Sequence, residues 1–569
     1  MEGSMASTNG FSRRQVFKTS AAVGGAIAAA PLLSACGSGK ASTKASGVAA
    51  KSAVAAVLPT YKASSAVTPD IPGVAGANGA ASDPGFLNFP ATPPKSVTGA
   101  VGKGGSYTAV SPVWGSVPAP GNTYFTTVNQ ALGATITDSP ADGTSYATML
   151  ATRFASGNIP DWLDVPGWNV SSIQNFAEGV DKFFKDLTPF LGGDKALDYP
   201  NLAAIPTGGW QAAVWNGKLY GIPLWTSAAN IPGAMFYRAD IFKAAGIDAS
   251  TVTSADQLKA VGKQVNNPAK GQYAFEDLSS FLYQIFHVPA NNGRTGWKRD
   301  SSGKLVNGYE VPEFLEMLNF ASSLAKGGLI HPDALAGDAS KAKNRFWAGK
   351  SVITADGTGA WNKSDAQSGT AASPAYERQG FKLFSFDGSK PSMPLYPSAG
   401  MFSYISKKLS DDQTRELLRI ANYLAAPFGS AEYLISRYGK EGTDFTMTNG
   451  APLLTDQGNK DVTDTLDQLA NCQSVTFNAG YNQITKDYCA WQGDMVQYAY
   501  KPLFYAMNIS EPAETAKAST ALEAVITDVR LGRKSVSDYQ SALTTWQNGG
   551  GNTLRDFYEG IAKQYGTGN

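Results

Sequence analysis

Strand-like and helix-like segments alternate along this 569-residue chain from Ser106 onward, and that alternation constrains its fold more than any other feature. "SYTAVSPVW" (106–114) reads as a strand, "NTYFTTVNQALG" (122–133) as a helix stopped by Gly133, and "ATIT" (134–137) as a strand again. "YATMLATRFASGNIPDWLDV" (146–165) repeats the unit: a helix, a stop at Gly157, and a strand into Val165. Such alternation builds mainly parallel sheets with helices on their faces. "SADQ" (254–257) and "SDDQ" (410–413) have capping-box spacing and mark helix starts. "VPEFLEMLNFASSLAKGG" (311–328) puts Pro312 in a first turn, Phe314, Leu318, Ala321 and Leu324 on one face, and Gly327 and Gly328 at the stop. Hydrophobic residues are 43% of the chain and charged residues 16%, so a large core can form, and the length implies two or more domains. No internal repeat is present.

The first hundred residues have a different character. Arg13 and Arg14 precede an apolar run, Ala21 to Leu33, of 13 residues. As a helix it spans about 20 Å, too short to cross a bilayer. A positive start, a short apolar stretch and small residues after it make a secretion signal. The arginine pair resembles a twin-arginine export signal, and "LSAC" (33–36) resembles a bacterial lipobox. That reading makes residues 1–35 a cleaved signal and Cys36 a lipidated mature N-terminus, held by two acyl chains. The alternative is cleavage at small residues, with Cys36 left as a free thiol. Residues 36–103, rich in Ala, Ser, Gly and Pro, lack periodicity apart from Phe86, Leu87 and Phe89, and read as a flexible, disordered tether with that patch available to dock. No other apolar run is long enough for a transmembrane helix.

Removing residues 1–35 leaves a formal charge of −1, which argues against nucleic acid as a partner. Only two histidines occur, His287 and His331, and no H-E-x-x-H, CxxC or P-loop motif appears. His331, in "GLIHPD", reads as a local cap. No catalytic residue, metal site or cofactor is indicated. Cys472 and Cys489 are either disulfide-bonded in an oxidising compartment or two buried thiols.

Aromatic residues are the positive signal: 11 Trp, 24 Tyr and 27 Phe. Many sit beside Gly and Pro in loop-like places: Trp114, Trp168, Trp210, Trp225, Trp361, Tyr396 and Trp491. Flat apolar faces next to hydrogen-bonding groups suit a sugar ring, with large contact area at low side-chain entropy. Core packing is the competing explanation for any one of them.

"WNGKLYGIPLW", "MFYRADIFKAAGID", "SSLAKGGLIHPD", "FWAGKSVITADGTGAW" and "SRYGKEGTDFTMTNGAP" run in order over most of residues 104–569. In them the chain resembles the family 1 extracellular solute-binding lipoproteins of ABC importers, and within these the larger members that include alginate-oligosaccharide-binding proteins. The resemblance implies a periplasmic-binding-protein-like α/β fold, with two discontinuous lobes around a central cleft. It places a first lobe at 104–234 plus about 350–405, a second at 235–349 plus about 406–530, and C-terminal helices, 531–569, near the hinge. It implies ligand loops holding Trp168, Trp225, Trp361 and Tyr396, with Asp164 and Asp356 accepting hydrogen bonds from hydroxyls. The "YGKEGTDF" segment, with turns at Gly439 and Gly442, is expected to be structural. Where alginate-binding relatives carry a calcium loop, this chain reads "NNPAKGQYAF", too poor in carboxylates, so no calcium is expected. Arg153, Arg238 and Arg294 are scattered rather than clustered, which points to a neutral or mildly polar oligosaccharide. The implied function is carbohydrate capture outside the cell membrane for an ABC permease, by a non-enzymatic monomer anchored through Cys36. The rival readings are a tethered carbohydrate-active enzyme and a sugar sensor or adhesin.

Overall fold

Two sheets carry the alternation. The computed structural model describes residues 47–231, 233–289, 296–463, 465–512 and 515–568; the signal, Cys36 and Arg294 lie outside the described residues. In chain order the strands are β1 (Ser106–Val110), β2 (Thr135–Asp138), β3 (Trp162–Pro166), β4 (Gly221–Leu224), β5 (Ala234–Arg238), β6 (Tyr273–Phe275), β7 (Ser351–Asp356), β8 (Arg378–Gly380) and β9 (Met401–Ile405). The first sheet has the order β2-β1-β3-β9-β4, and the second β6-β7-β5-β8. β1 runs parallel to β2 and β3, whereas β9 runs antiparallel to both β3 and β4. The chain therefore builds most of one lobe, leaves after Leu224 to build the other, and returns at Met401.

β9 enters the middle of the first sheet with every residue buried. Ser403 lies opposite Asp164, and its hydroxyl receives the Trp162 Nε1–H at 2.9 Å. After β9 the chain stays in the first lobe: Leu417, Leu418, Ile420, Leu466, Leu469 and Ala470 join its core. The second core takes Trp491, Met495, Leu522, Ile526, Tyr539 and Trp546. The lobe boundaries thus differ from the expected ones in three places. Residues 351–380 belong to the second sheet, residues 406–470 to the first core, and helix Val536–Trp546, expected near the hinge, packs on the second lobe, where Ala516–Arg530 lies as expected. Sequence spacing does not reveal which sheet a strand joins, because each strand shows only its own pattern.

Local signals are realised. Ser410 forms a capping box with Gln413, while Gln257 reaches one residue further back than the box geometry, to the Thr253 N–H at 2.7 Å. His331 Nδ1 accepts from the Asp333 N–H and caps its helix. Gly439 and Gly442, at φ 77° and 78°, turn the chain around Asp444, whose Oδ2 accepts from the Lys440 N–H at 2.8 Å.

The expected tether through residue 103 is corrected: residues 47–103 are strapped across both lobes. On the first lobe, the Thr60 hydroxyl donates to Asp194 at 2.7 Å and the Ser96 N–H to Glu432 at 2.9 Å. On the second, Asn78 Nδ2 donates to the Ala499 carbonyl at 2.7 Å. Phe86 stacks on Phe428 with ring centroids 4.3 Å apart, and Phe89 meets the same ring edge-on. Burying two phenylalanines contributes about 1.5–3 kcal/mol each. A strap held by such separate anchors needs no periodicity, so its sequence resembles that of a disordered segment. Cys472 and Cys489 are free thiols; Cys489 packs beneath Gly85 of the strap. No helix among the described residues is long and apolar enough to cross a membrane.

Asp83 fastens the strap at the lobe junction. It is buried, and accepts from Ser227 Oγ (2.8 Å) of the outgoing crossing and from Gln492 Nε2 (2.9 Å) of the second-lobe helix Asn482–Met495. Burial pushes its carboxyl up to about 6, against the two hydrogen bonds that lower it. The fold therefore binds this proton more tightly than the unfolded chain does. The stability from Asp83 is fully present below about pH 4 and is lost as pH rises through about 6. Asp83→Asn, which does not ionise, should flatten the melting-temperature profile across that window; an unchanged slope would contradict the assignment.

Candidate functional site

Three tryptophans remain uncovered at the carboxyl ends of the first-lobe strands. Trp114 follows the short strand Pro112–Val113 that extends β1, Trp168 follows β3, and Trp225 follows β4. Their exposures are 48%, 53% and 37%, large values for the bulkiest aromatic side chain in the chain. They converge: ring centroids lie 6.0 Å apart for Trp114–Trp168, 5.8 Å for Trp114–Trp225 and 6.5 Å for Trp168–Trp225, all at tilted angles. Exposed apolar clusters of this kind are uncommon on protein exteriors and are associated with interaction surfaces.

Each ring is held from below. Pro112–Val113 pairs in parallel with Ala141–Asp142, and the Gly143 N–H reaches the Val113 carbonyl at 2.9 Å. A Cβ at Gly143 would overlap the Trp114 indole, so glycine is what lets that ring lie flat. Trp168 stands beside Gly400, whose carbonyl accepts from the Gly167 N–H at 3.1 Å. Trp225 has φ +51°, a left-handed conformation unfavourable for a bulky side chain. Its N–H donates to Oδ1 of the buried Asn471 at 3.0 Å, which helps hold the strained turn. Strain of this kind persists where surrounding contacts fix it, and it concentrates at ligand sites.

The other aromatic and acidic candidates are placed differently. Trp210 is 1% exposed in the first core. Trp361 and Trp491 are buried in the second core, Trp361 edge-on to Phe236 and Trp491 donating Nε1–H to the Phe381 carbonyl at 2.9 Å. With Tyr488 they form a second aromatic group, at centroid spacings of 5.8–6.3 Å. Asp164 is fully buried on β3. Asp356 ends β7, accepts from the Gly357 N–H at 2.8 Å and lies 4.0 Å from Arg378. Tyr396 is half-buried where the two crossings meet: its N–H donates to the Asn230 carbonyl at 3.1 Å, and Asn230 Nδ2 donates to the Pro397 carbonyl at 2.8 Å. Tyr488 is not among the expected residues; an aromatic inside a helix carries no Gly or Pro flank to flag it. Among the described residues, no group of three or more His, Cys, Asp or Glu could hold a metal ion.

Two α/β lobes joined by crossing segments, with an aromatic platform at the strand ends of one, define a two-lobed binding protein. Residues 123–439 match the family model of bacterial extracellular solute-binding proteins, and the chain belongs to that family. It is similar to the lipoprotein LipO of Bacillus subtilis (strain 168), with 21% identity over 435 residues covering 72% of this chain and 82% of that one. A carbohydrate ABC transporter substrate-binding protein of Streptococcus pneumoniae is 33% identical over 131 residues, covering 22% of this chain and 26% of the relative. Among solved structures, the N-glycan transport solute-binding protein NgtS from Streptococcus pneumoniae has the same fold, with a TM-score of 0.58 at 16% identity, covering 82% of this chain and 99% of that one.

The strain at Trp225 has a measurable sign. Trp225→Gly and Trp225→Ala both remove the indole, but only alanine keeps a Cβ in the left-handed conformation. Urea unfolding should find the glycine variant more stable by about 1 kcal/mol, the reverse of the order in ordinary backbone. An alanine variant of equal or greater stability would contradict it.

Proposed function

We propose that this protein is the ligand-capturing component of an ABC importer for a carbohydrate, and that it binds without turning its ligand over. The convergence of Trp114, Trp168 and Trp225 carries the reading: three adjacent indole faces, open to solvent, offer stacking surface for more than one sugar ring. The carbohydrate relative and NgtS bear names that agree with it. Tyr396 and Asn230 lie at the crossing where the lobes would rotate, and Asp356, at the end of β7, belongs to the facing lobe. Closure would remove water from the stacked rings and mark the loaded state for a permease. Buried Trp210, Trp361 and Trp491 act in this reading as support beneath the cleft rather than as contacts.

Lipidation at Cys36 completes the proposal. Only ten residues, eleven Cα–Cα steps, separate Cys36 from Gly47, where the strap meets Asn216 through a 2.6 Å hydrogen bond. Fully extended, they reach about 40 Å. Such a leash keeps the lobes near the membrane and raises their effective concentration at a permease.

Calorimetry and product analysis on one panel of oligosaccharides test this together. At least one member should bind and be recovered unchanged, and Trp168→Ala should weaken it at least tenfold, about 1.4 kcal/mol. Turnover of the sugar, or an unchanged dissociation constant in the variant, would contradict the reading.

A further inference from the structure

A cavity of about 330 Å³ lies apart from the tryptophans and shares no lining residue with them. One wall belongs to the first lobe. Tyr438 ends the helix Ala431–Tyr438, which is tied to Tyr124 by a 2.8 Å hydrogen bond from its hydroxyl to the Ser436 carbonyl. Asn459 lies on the short helix Gly458–Asp461, tied to the same lobe by Asn122 Nδ2 donating to the Asp461 carbonyl at 2.9 Å. The opposite wall is the first turn of Lys363–Ala372, a second-lobe helix anchored where Asp365 meets Arg378 at 2.8 Å. Asn478 joins the walls by accepting the Lys363 N–H at 2.9 Å. The cavity is therefore bounded by both lobes.

Its lining is amide-rich, with the rings of Tyr438 and Phe477 beside Asn362, Asn459 and Asn478, and it contains one charged side chain, Lys363. That lysine is unlike the buried cations elsewhere in the fold. Arg238, Arg345, Arg378, Arg437 and Arg555 each face a carboxylate: Asp240, Glu276, Asp365, Asp467 and Glu310 respectively. Lys363 is half-buried, no acidic residue lines its cavity, and burial alone holds its ammonium below the ordinary lysine value. Withdrawing a cation from water without a counter-charge is costly, and a site that does so favours an anion from outside. Asn362 donates one amide N–H to the Gly359 carbonyl at 2.7 Å and Asn478 one to Thr485 Oγ1 at 3.3 Å, so the second N–H of each and the Asn459 amide are the donors for carboxylate oxygens.

We propose that this interlobe cavity receives a carboxylate-bearing unit of the bound saccharide, with Lys363 as its counter-charge and Asn362, Asn459 and Asn478 as its donors. The inference rests on the carbohydrate reading and sharpens it: the stacking surface accepts sugar rings generally, and this cavity selects an acidic one. A single lysine accomplishes this without the arginine cluster that acidic-sugar recognition would lead one to look for. Arg153 is spent on the Asn158 carbonyl and Met149, and Arg238 on Asp240.

Matched trisaccharides test it by calorimetry on the full chain. Uronate trimers of galacturonate, glucuronate and mannuronate are compared with the same trimers after reduction of each carboxylate to a hydroxymethyl group. In at least one pair the acid should bind roughly tenfold tighter or more, as a charge-assisted hydrogen bond supplies, and the margin should shrink with salt. Lys363→Gln should remove the margin, and Lys363→Arg should retain most of it. Equal affinities in every pair, or a margin that survives in Lys363→Gln, would overturn the proposal. If neutral sugars bind and acids bind no better, the carbohydrate reading stands and this one falls. If no trimer and no panel sugar binds, both fall.

Discussion

The architecture depends on the insertion of Met401–Ile405 into the middle of a sheet whose other strands are finished nearly two hundred residues earlier. A central strand must satisfy both edges and bury both faces, and this one does, pairing with β3 on one side and β4 on the other. Until it arrives, β3 and β4 have no partner between them. Its arrival forces the second lobe to be an excursion that begins after Leu224 and closes before Met401. The two crossings consequently run side by side, where the Tyr396 N–H donates to the Asn230 carbonyl and Asn230 Nδ2 donates to the Pro397 carbonyl. The same insertion brings Gly400 against Gly167 and Trp168, so it also shapes the aromatic surface.

The aromatic residues fall into two kinds of position, open and enclosed. At the first-lobe strand ends the rings are uncovered and their backbone is constrained, most visibly at Trp225. In the second lobe Trp361, Tyr488 and Trp491 pack against each other. The strap ties these regions together, because Asp83 reaches a crossing segment and a second-lobe helix at once. Relative lobe movement thus has to be accommodated by a junction that contains a buried carboxyl group and its two donors.

Much of the fold was legible because it is local. Capping at Ser410, the turn at Gly439 and the apolar face of Pro312–Lys326 depend on neighbours within a few residues. What was not legible depends on partners far away in the chain. β7 looked like a return to the first lobe, and nothing in "SVITAD" states that its neighbour is Ala234–Arg238. The strap looked unable to fold because its anchors, Phe86, Asp83 and Val48, are single residues that each meet partners far away in the chain. The aromatic signal named candidate rings without ranking them by exposure. Trp168 and Trp210 both sit beside glycine, and only the packed structure shows that one is open and the other enclosed. Lys363 carried no sequence signal, since an unpaired cation is defined by the acids that are not near it.

The central claim is that Trp114, Trp168 and Trp225 together form the surface on which the ligand rests. Oxidation with N-bromosuccinimide, read residue by residue by peptide mass spectrometry, tests it most directly. In the free protein these three indoles should react first, ahead of buried Trp210, Trp361 and Trp491. With the tightest saccharide of the panel bound, all three should be protected together. Equal oxidation of the three with and without that saccharide would contradict the account.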